Sequence, residues 1–171
     1  MMLIEADNLG AAPKKFDLLI SPESIELERD DVDIKGNISL RCDASANAAS
    51  LDVKGVIAFA ADFACSRCVK AVPQSFLFDF NVEYVAPEDF PSDREKELIE
   101  ADLERDVLSG NSIDLAALVR EQVLLNLPER LICEEACKGL CSSCGENKNL
   151  AECECSKTEG DPRWSALKKL R

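Results

Sequence analysis

The sequence predicts an α+β fold: an antiparallel, barrel-like β-sheet in the N-terminal part, then one helix and a cysteine-rich C-terminal segment. Three observations carry this expectation. Long runs in the first half place apolar residues on every second position, one later stretch has helical spacing between a capping aspartate and a proline, and cysteines gather around both.

Taken in order, the chain begins with two short strand candidates, Phe16 to Ile20 after Pro13 and Ile25 to Leu27 after Pro22. Three stronger runs follow. Val32, Ile34, Ile38 and Leu40 alternate with polar residues. So do Leu51, Val53, Ile57, Phe59, Ala61 and Phe63, and then Phe76, Phe78, Phe80, Val82 and Tyr84 opposite Leu77, Asp79, Asn81 and Glu83. Each run gives a strand with one dry and one wet face. Cys65-Ser66-Arg67-Cys68 falls between the last two, so a Cys-x2-Cys pair occupies a hairpin connection.

Between Glu88 and Asp106 nine acidic residues face only Arg94, Lys96 and Arg105. The stretch reads as a solvated linker or surface helix. After the turn signal Ser109-Gly110-Asn111, Asp114 caps the expected helix, with Ile113 and Leu118 as a hydrophobic staple. Leu115, Leu118, Val119, Gln122 and Leu125 are expected on its apolar face, and Pro128 ends it. This predicts an antiparallel β domain over 1–87, an acidic linker over 88–111, and a helix, Cys-rich knuckle and basic tail over 112–171 packed on the sheet as one unit.

The 171 residues carry 20 Lys+Arg against 33 Asp+Glu, a net charge of -13, with nine cysteines and no histidine. The missing histidine excludes Ser-His and Cys-His nucleophile pairs and mixed Cys/His metal sites. The acidity argues against coating nucleic acid through bulk charge, though not against a local basic face. The acidic start Met1-Met2-Leu3-Ile4-Glu5 and the absence of a long apolar run predict a soluble cytoplasmic protein. Thiols clustered in a reducing compartment are more often metal ligands than disulfides.

Cys42 stands alone and reads as a small buried hydrophobe. The other eight make two tetrahedral sets. The favoured pairing joins Cys65 and Cys68 to Cys133 and Cys137, and groups Cys141, Cys144, Cys153 and Cys155. Its basis is spacing: Cys133, Cys137 and Cys141 succeed one another too closely for one ion, and a distant Cys-x2-Cys needs partners. Cys141-x2-Cys144-Gly145 has knuckle spacing, in which both sulfurs approach one ion and glycine allows the reversal. Cys65-x2-Cys68 lacks the glycine. Other readings fit less well. Gly139 interrupts an i, i+4 helix face, and a redox Cys-x2-Cys belongs at a helix start rather than before Val72-Pro73. Two structural zinc ions are the favoured cofactor and iron–sulfur is the rival. Each Zn(Cys)4 set would add net negative charge, which Arg67, Lys70, Lys138 and Lys148 flank.

On these residues the chain resembles the bacterial YceD-like family of large ribosomal RNA subunit accumulation proteins. The likeness runs from about Gly55 to Arg171. It is carried by Cys65-x2-Cys68 after a strand, Ile113-Asp114-Leu115 opening a helix that ends at Leu127-Pro128, Cys137-Lys138-Gly139-Leu140-Cys141-x2-Cys144-Gly145, and Asp161-Pro162-Arg163 with Leu167 and Leu170. It departs at Asn147-Lys148-Asn149-Leu150, where the family has Asn-Leu-Asn. The resemblance implies a role in 23S ribosomal RNA accumulation and association with the large subunit. Relatives that keep the pair matching Cys65 and Cys68 but lack the last cluster imply that the second set is an optional staple. No catalytic residue comes from the family or from the residues themselves, so a non-enzymatic assembly factor is expected. Its partner is ribosomal RNA or a basic ribosomal protein received by the acidic stretch. The candidate RNA surface is the tail with Lys148, Lys157, Arg163, Lys168, Lys169 and Arg171. Trp164 there either stacks on a base or joins Leu167 and Leu170 in an apolar stripe.

Overall fold

The computed structural model describes residues 2–47, 49–90, 103–108 and 110–155. Its elements in chain order are β1 (Leu3–Glu5), β2 (Lys14–Ile20), β3 (Val32–Ala46), β4 (Ser50–Ala64), β5 (Ala71–Val85), β6 (Arg105–Val107), β7 (Ser112–Asp114) and α1 (Leu115–Asn126). Five strands form one sheet in the order β2-β3-β4-β5-β6, and β1 pairs with β7 in a separate ribbon. All pairings are antiparallel except β5–β6.

The three long strands owe their register to alternation. The even residues of β3 and β5 and the odd residues of β4 turn to one side, where Leu40, Val53, Ile57 and Phe63 are almost wholly buried. Between Lys35 and Ser39 the β3–β4 register shifts by a bulge containing Gly36 at φ +69°. Its two extra residues preserve the parity, so Val32 and Ile34 stay on the same side as Ile38 and Leu40. Phe59 stacks on Phe76 with ring centroids 4.8 Å apart and meets Phe78 edge-on.

Among the described residues the barrel-like closure expected from the sequence does not form: the sheet is open. β2 and β6 hold its two edges and do not pair with each other. Closure needs full-length first and last strands in a common shear, whereas β6 has three residues and runs parallel to β5. That strand also lies within the stretch read as linker. Residues 91–102, most of the acidic stretch, lie outside the described residues. A second difference concerns Ile25 to Leu27, which form no strand. A short 3-10 helix, Pro22–Ser24, turns the chain there and drops Ile25 into the core at 1% exposure.

Asp114 caps α1 by accepting the Ala116 N–H at 2.9 Å, and Ile113 and Leu118 are both buried beside it. Leu115, Leu118, Val119, Val123 and Leu127 join the core formed by the sheet. Leu125, expected on this face, is 76% exposed, and Val123 takes its place. Position 125 lies seven residues after Leu118, and the drift of a 3.6-residue turn carries it off a narrow buried stripe. The chain leaving α1 is tied back by Arg29, whose guanidinium donates to the Pro128 carbonyl at 3.3 Å and pairs with Asp31 at 2.6 Å.

Gly55 on β4 faces Cys42 on β3, and the strands approach too closely for a side chain at 55. A Cβ there would strike the Arg41 carbonyl oxygen and stand 2.6 Å from the Cys42 Cβ. Cys42 is buried, and burial pushes its thiol up to about 11. Gly55→Ala is expected to lower stability by about 2 kcal/mol through overpacking. Val123→Ala should cost about 2 kcal/mol and Leu125→Ala less than about 0.5 kcal/mol. Denaturation midpoints check all three, and equal losses at 123 and 125 would contradict this helix orientation.

Candidate metal centre

The β4–β5 connection and the chain after α1 meet beyond the end of the sheet. Ser66 N–H donates to the Leu131 carbonyl at 2.8 Å, Leu131 N–H returns to the Ser66 hydroxyl at 3.2 Å, and Leu140 N–H reaches the Arg67 carbonyl at 2.9 Å. The Arg67 guanidinium donates to the carbonyls of Glu135 and Cys137 at 3.2 and 3.0 Å. It is thus a structural tie, in keeping with its place beside the cysteines. Gly139 makes the closest approach. It sits at φ +73°, and a Cβ there would come 3.0 Å from the Arg67 carbonyl oxygen.

Two groups of four sulfurs result. Cys65, Cys68, Cys133 and Cys137 form one, and Cys141, Cys144, Cys153 and Cys155 the other, with the sulfurs of each group within 4.8 Å of one another. In the first, Cys65 and Cys137 are 3.9 Å apart and Cys68 and Cys133 3.7 Å apart. A tetrahedron with metal–sulfur bonds of about 2.3 Å has edges of about 3.8 Å, so the donor set fits one tetrahedral ion. All nine cysteines are free thiols.

The groups differ in burial. Cys65, Cys68 and Cys137 are 1%, 6% and 4% exposed and form, with Val72 and Cys133, a small cluster separate from the main core. In the second group Cys141 is buried, but Cys144 and Cys155 are exposed. Each group contains a thiol prepared for ionisation. Backbone N–H groups, that of Arg67 foremost, hold Cys65 down at about 6, and those of Cys144 and Ser143 do the same for Cys141. Burial pushes Cys133 up to about 12. Sharing a hydrogen bond with Cys144 raises Cys155 to about 12. Charge therefore develops on Cys65 and Cys141 before Cys133 and Cys155.

Both Cys-x2-Cys turns have the same backbone. In the first, Val69 N–H donates to the Cys65 carbonyl and Cys65 N–H to the Lys70 carbonyl, each at 2.9 Å. In the second, Gly145 N–H donates to the Cys141 carbonyl at 2.9 Å and Cys141 N–H to the Glu146 carbonyl at 2.8 Å. The turn requires a left-handed residue after its second cysteine, and Gly145 meets this at φ +75° while Val69 is forced to φ +61°. The glycine missing from the first motif is therefore missing in sequence and not in geometry.

Of the basic candidates, Lys148 is exposed on the loop between Cys144 and Cys153, whereas Lys157, Arg163, Lys168, Lys169 and Arg171, with Trp164, lie outside the described residues. Sequence reasoning did not single out Asn149, whose side chain touches Cys137 at 3.4 Å. Its only signal was its place in a Cys-flanked loop. Among the described residues no helix is long and apolar enough to cross a membrane.

A β-branched residue in the left-handed region costs about 1–2 kcal/mol, against a smaller entropic cost for glycine. Val69→Gly is therefore expected to raise the stability of the protein by about 0.5 kcal/mol or more, and Gly145→Val to lower it by about 1 kcal/mol or more. Thermal melts of the two variants provide the check, and a fall with Val69→Gly would contradict the shared turn geometry.

A family model described as large ribosomal RNA subunit accumulation protein YceD matches residues 53–171. The chain is 39% identical over 59 residues to the Arabidopsis thaliana large ribosomal RNA subunit accumulation protein YCED homolog 1, chloroplastic, covering 34% of this chain and 18% of that protein. It is 34% identical over 65 residues to the uncharacterized protein YlbN of Bacillus subtilis (strain 168), covering 37% of this chain and 38% of that one. Each match thus spans well under half of the relative's length. No solved structure matches the chain. The family match takes in both four-sulfur groups, α1, β5 and most of β4, and the chain belongs to the YceD family of large ribosomal RNA subunit accumulation proteins.

Proposed function

We propose that this chain is a non-enzymatic ribosome biogenesis factor of the cytoplasm that supports 23S ribosomal RNA accumulation and large-subunit assembly, with one structural zinc in each four-cysteine group. The observation that carries the reading is the family match over residues 53–171, which includes all eight clustered cysteines. Zinc is supported by the chemistry of the donors. Four thiolates with sulfurs within 4.8 Å enclose room for one ion, whereas an iron–sulfur cluster inserts several iron and sulfide atoms and spreads its cysteines further. A d10 ion with no redox chemistry suits a clamp that joins a hairpin to a distant segment. The absence of histidine supports a structural rather than a catalytic role.

The charge favours a second reading of how the protein reaches the ribosome. A net charge of -13, nearly half of it between Glu88 and Asp106, suits an adaptor that receives a basic ribosomal protein better than one that grips RNA directly. In the alternative, RNA is held by Lys148 and the basic positions after it.

Loss of the protein is expected to lower mature 23S RNA and distort subunit profiles, and unchanged profiles would sink the assembly role. Protein purified without chelator should be colourless and hold two zinc ions per chain. Brown colour with acid-labile sulfide would place it among iron–sulfur proteins instead. Crosslinking in cells distinguishes the partners: neutralising the acidic stretch should abolish salt-sensitive capture of a basic ribosomal protein, whereas RNA crosslinks that depend on the basic tail would favour direct contact.

A further inference from the structure

The two sulfur groups share a scaffold. The loop between Cys144 and Cys153 leaves the second group and returns to the first, with Asn147 bridged to Leu140 and Lys148 N–H donating to the Gly139 carbonyl at 3.0 Å. At its turn Asn149 spends its whole side chain on this junction. Its Nδ2 donates to Cys137 Sγ at 3.4 Å and to Asn147 Oδ1 at 2.9 Å, and its Oδ1 accepts the Lys138 N–H at 2.7 Å. Its own N–H donates to Asn147 Oδ1 at 3.0 Å.

These partners fix the orientation of the amide. Reversed, it would aim an oxygen at both the sulfur and Asn147 Oδ1, and an N–H at the Lys138 N–H, so that all three contacts become repulsive. The Asn149 amide is therefore a committed donor to Cys137. A four-thiolate site keeps net negative charge after binding a divalent ion, and N–H donors that disperse it tune both ligand orientation and affinity. The loop that carries Asn149 is held in its middle by the bonds to Leu140 and Gly139 and at its two ends by the second sulfur set, Cys141 and Cys144 before it and Cys153 and Cys155 after it.

We propose that Asn149 is a positioning residue of the Cys65/Cys68/Cys133/Cys137 centre supplied by the loop of the other centre, so that closing the second set tightens metal binding at the first. The inference rests on the reading of both groups as metal centres. It gives the second set a role beyond that of an optional staple: a clamp on its neighbour, with metal loading that is cooperative.

The test is cobalt(II) titration of the reduced full-length chain, followed by absorption. Wild type should bind two cobalt ions. Asn149→Leu, which keeps the branched heavy-atom skeleton and removes the donor, should weaken the first set by about 10–100-fold. At saturation it should also move the thiolate-to-cobalt charge-transfer band to longer wavelength, because a thiolate relieved of a hydrogen bond is the better donor. A merely structural role would not move that band. Asn149→Gln, which keeps an amide, should recover part of both effects, and Leu150→Ala, at an 83% exposed position of the same loop, should show neither. The double variant Cys153→Ser/Cys155→Ser should weaken the remaining site, and adding Asn149→Leu to it should cost much less than in wild type. Wild-type affinity and an unmoved band in Asn149→Leu would overturn the inference and leave the metal reading standing. Binding of fewer than two cobalt ions by wild type would overturn the metal reading and the inference with it.

Discussion

Four thiolates from two distant parts of the chain must meet, and much of the architecture serves that meeting. Cys65 and Cys68 close the β4–β5 hairpin, while Cys133 and Cys137 lie beyond the end of α1 at Asn126. Thiolates that lie 3.7 to 3.9 Å apart repel once ionised, so an ion between them would convert a liability into a clamp. Such a clamp would act where the main core does not reach. A 15-residue strand extends about 50 Å, and a 12-residue helix covers about 18 Å. One helix cannot shield the whole sheet. The knuckle end has its own small cluster apart from the main core, and there the sulfur group takes over the cohesion that apolar burial supplies elsewhere.

Reaching that geometry imposes exact backbone demands. Gly55 lets two strands close on Cys42 and leaves no room for even a methyl group, while Gly139 is pressed against the Arg67 carbonyl at a left-handed φ of +73° that disfavours any side chain. Val69 shows the opposite resolution. The turn dictates a left-handed conformation whether or not a glycine is present, and the hydrogen bonds from Cys65 and Val69 hold a valine there against its preference. The strain is tolerated because the surrounding bonds and the converging sulfurs over-determine the loop.

Charge is distributed with similar economy. Backbone amides hold Cys65 and Cys141 low, and Arg67 and Asn149 bring further N–H groups to the same junction. Arg67 thus ties the site together. Nearly half of the net acidity falls elsewhere in the sequence, between Glu88 and Asp106, in a chain that belongs to a ribosomal RNA accumulation family.

Period-two alternation determined the three long strands and their buried faces, because a half-buried strand can satisfy its side chains in no other register. The cap at Asp114 and the stop at Pro128 determined the helix for equally local reasons. Spacing also identified which cysteines form knuckles, since two sulfurs three residues apart reach one ion only through a tight turn. Tertiary structure decided what local pattern leaves free. The sheet stays open because β6 is short and parallel, and Ile25 enters the core from a turn because a buried isoleucine carries no mark of its backbone conformation. Leu125 faces water because helix rotation is set by what packs against it. The contact of Asn149 with Cys137 was invisible for the same reason: a hydrogen bond between two loops depends on where both chains lie, and neither loop's sequence records the position of the other.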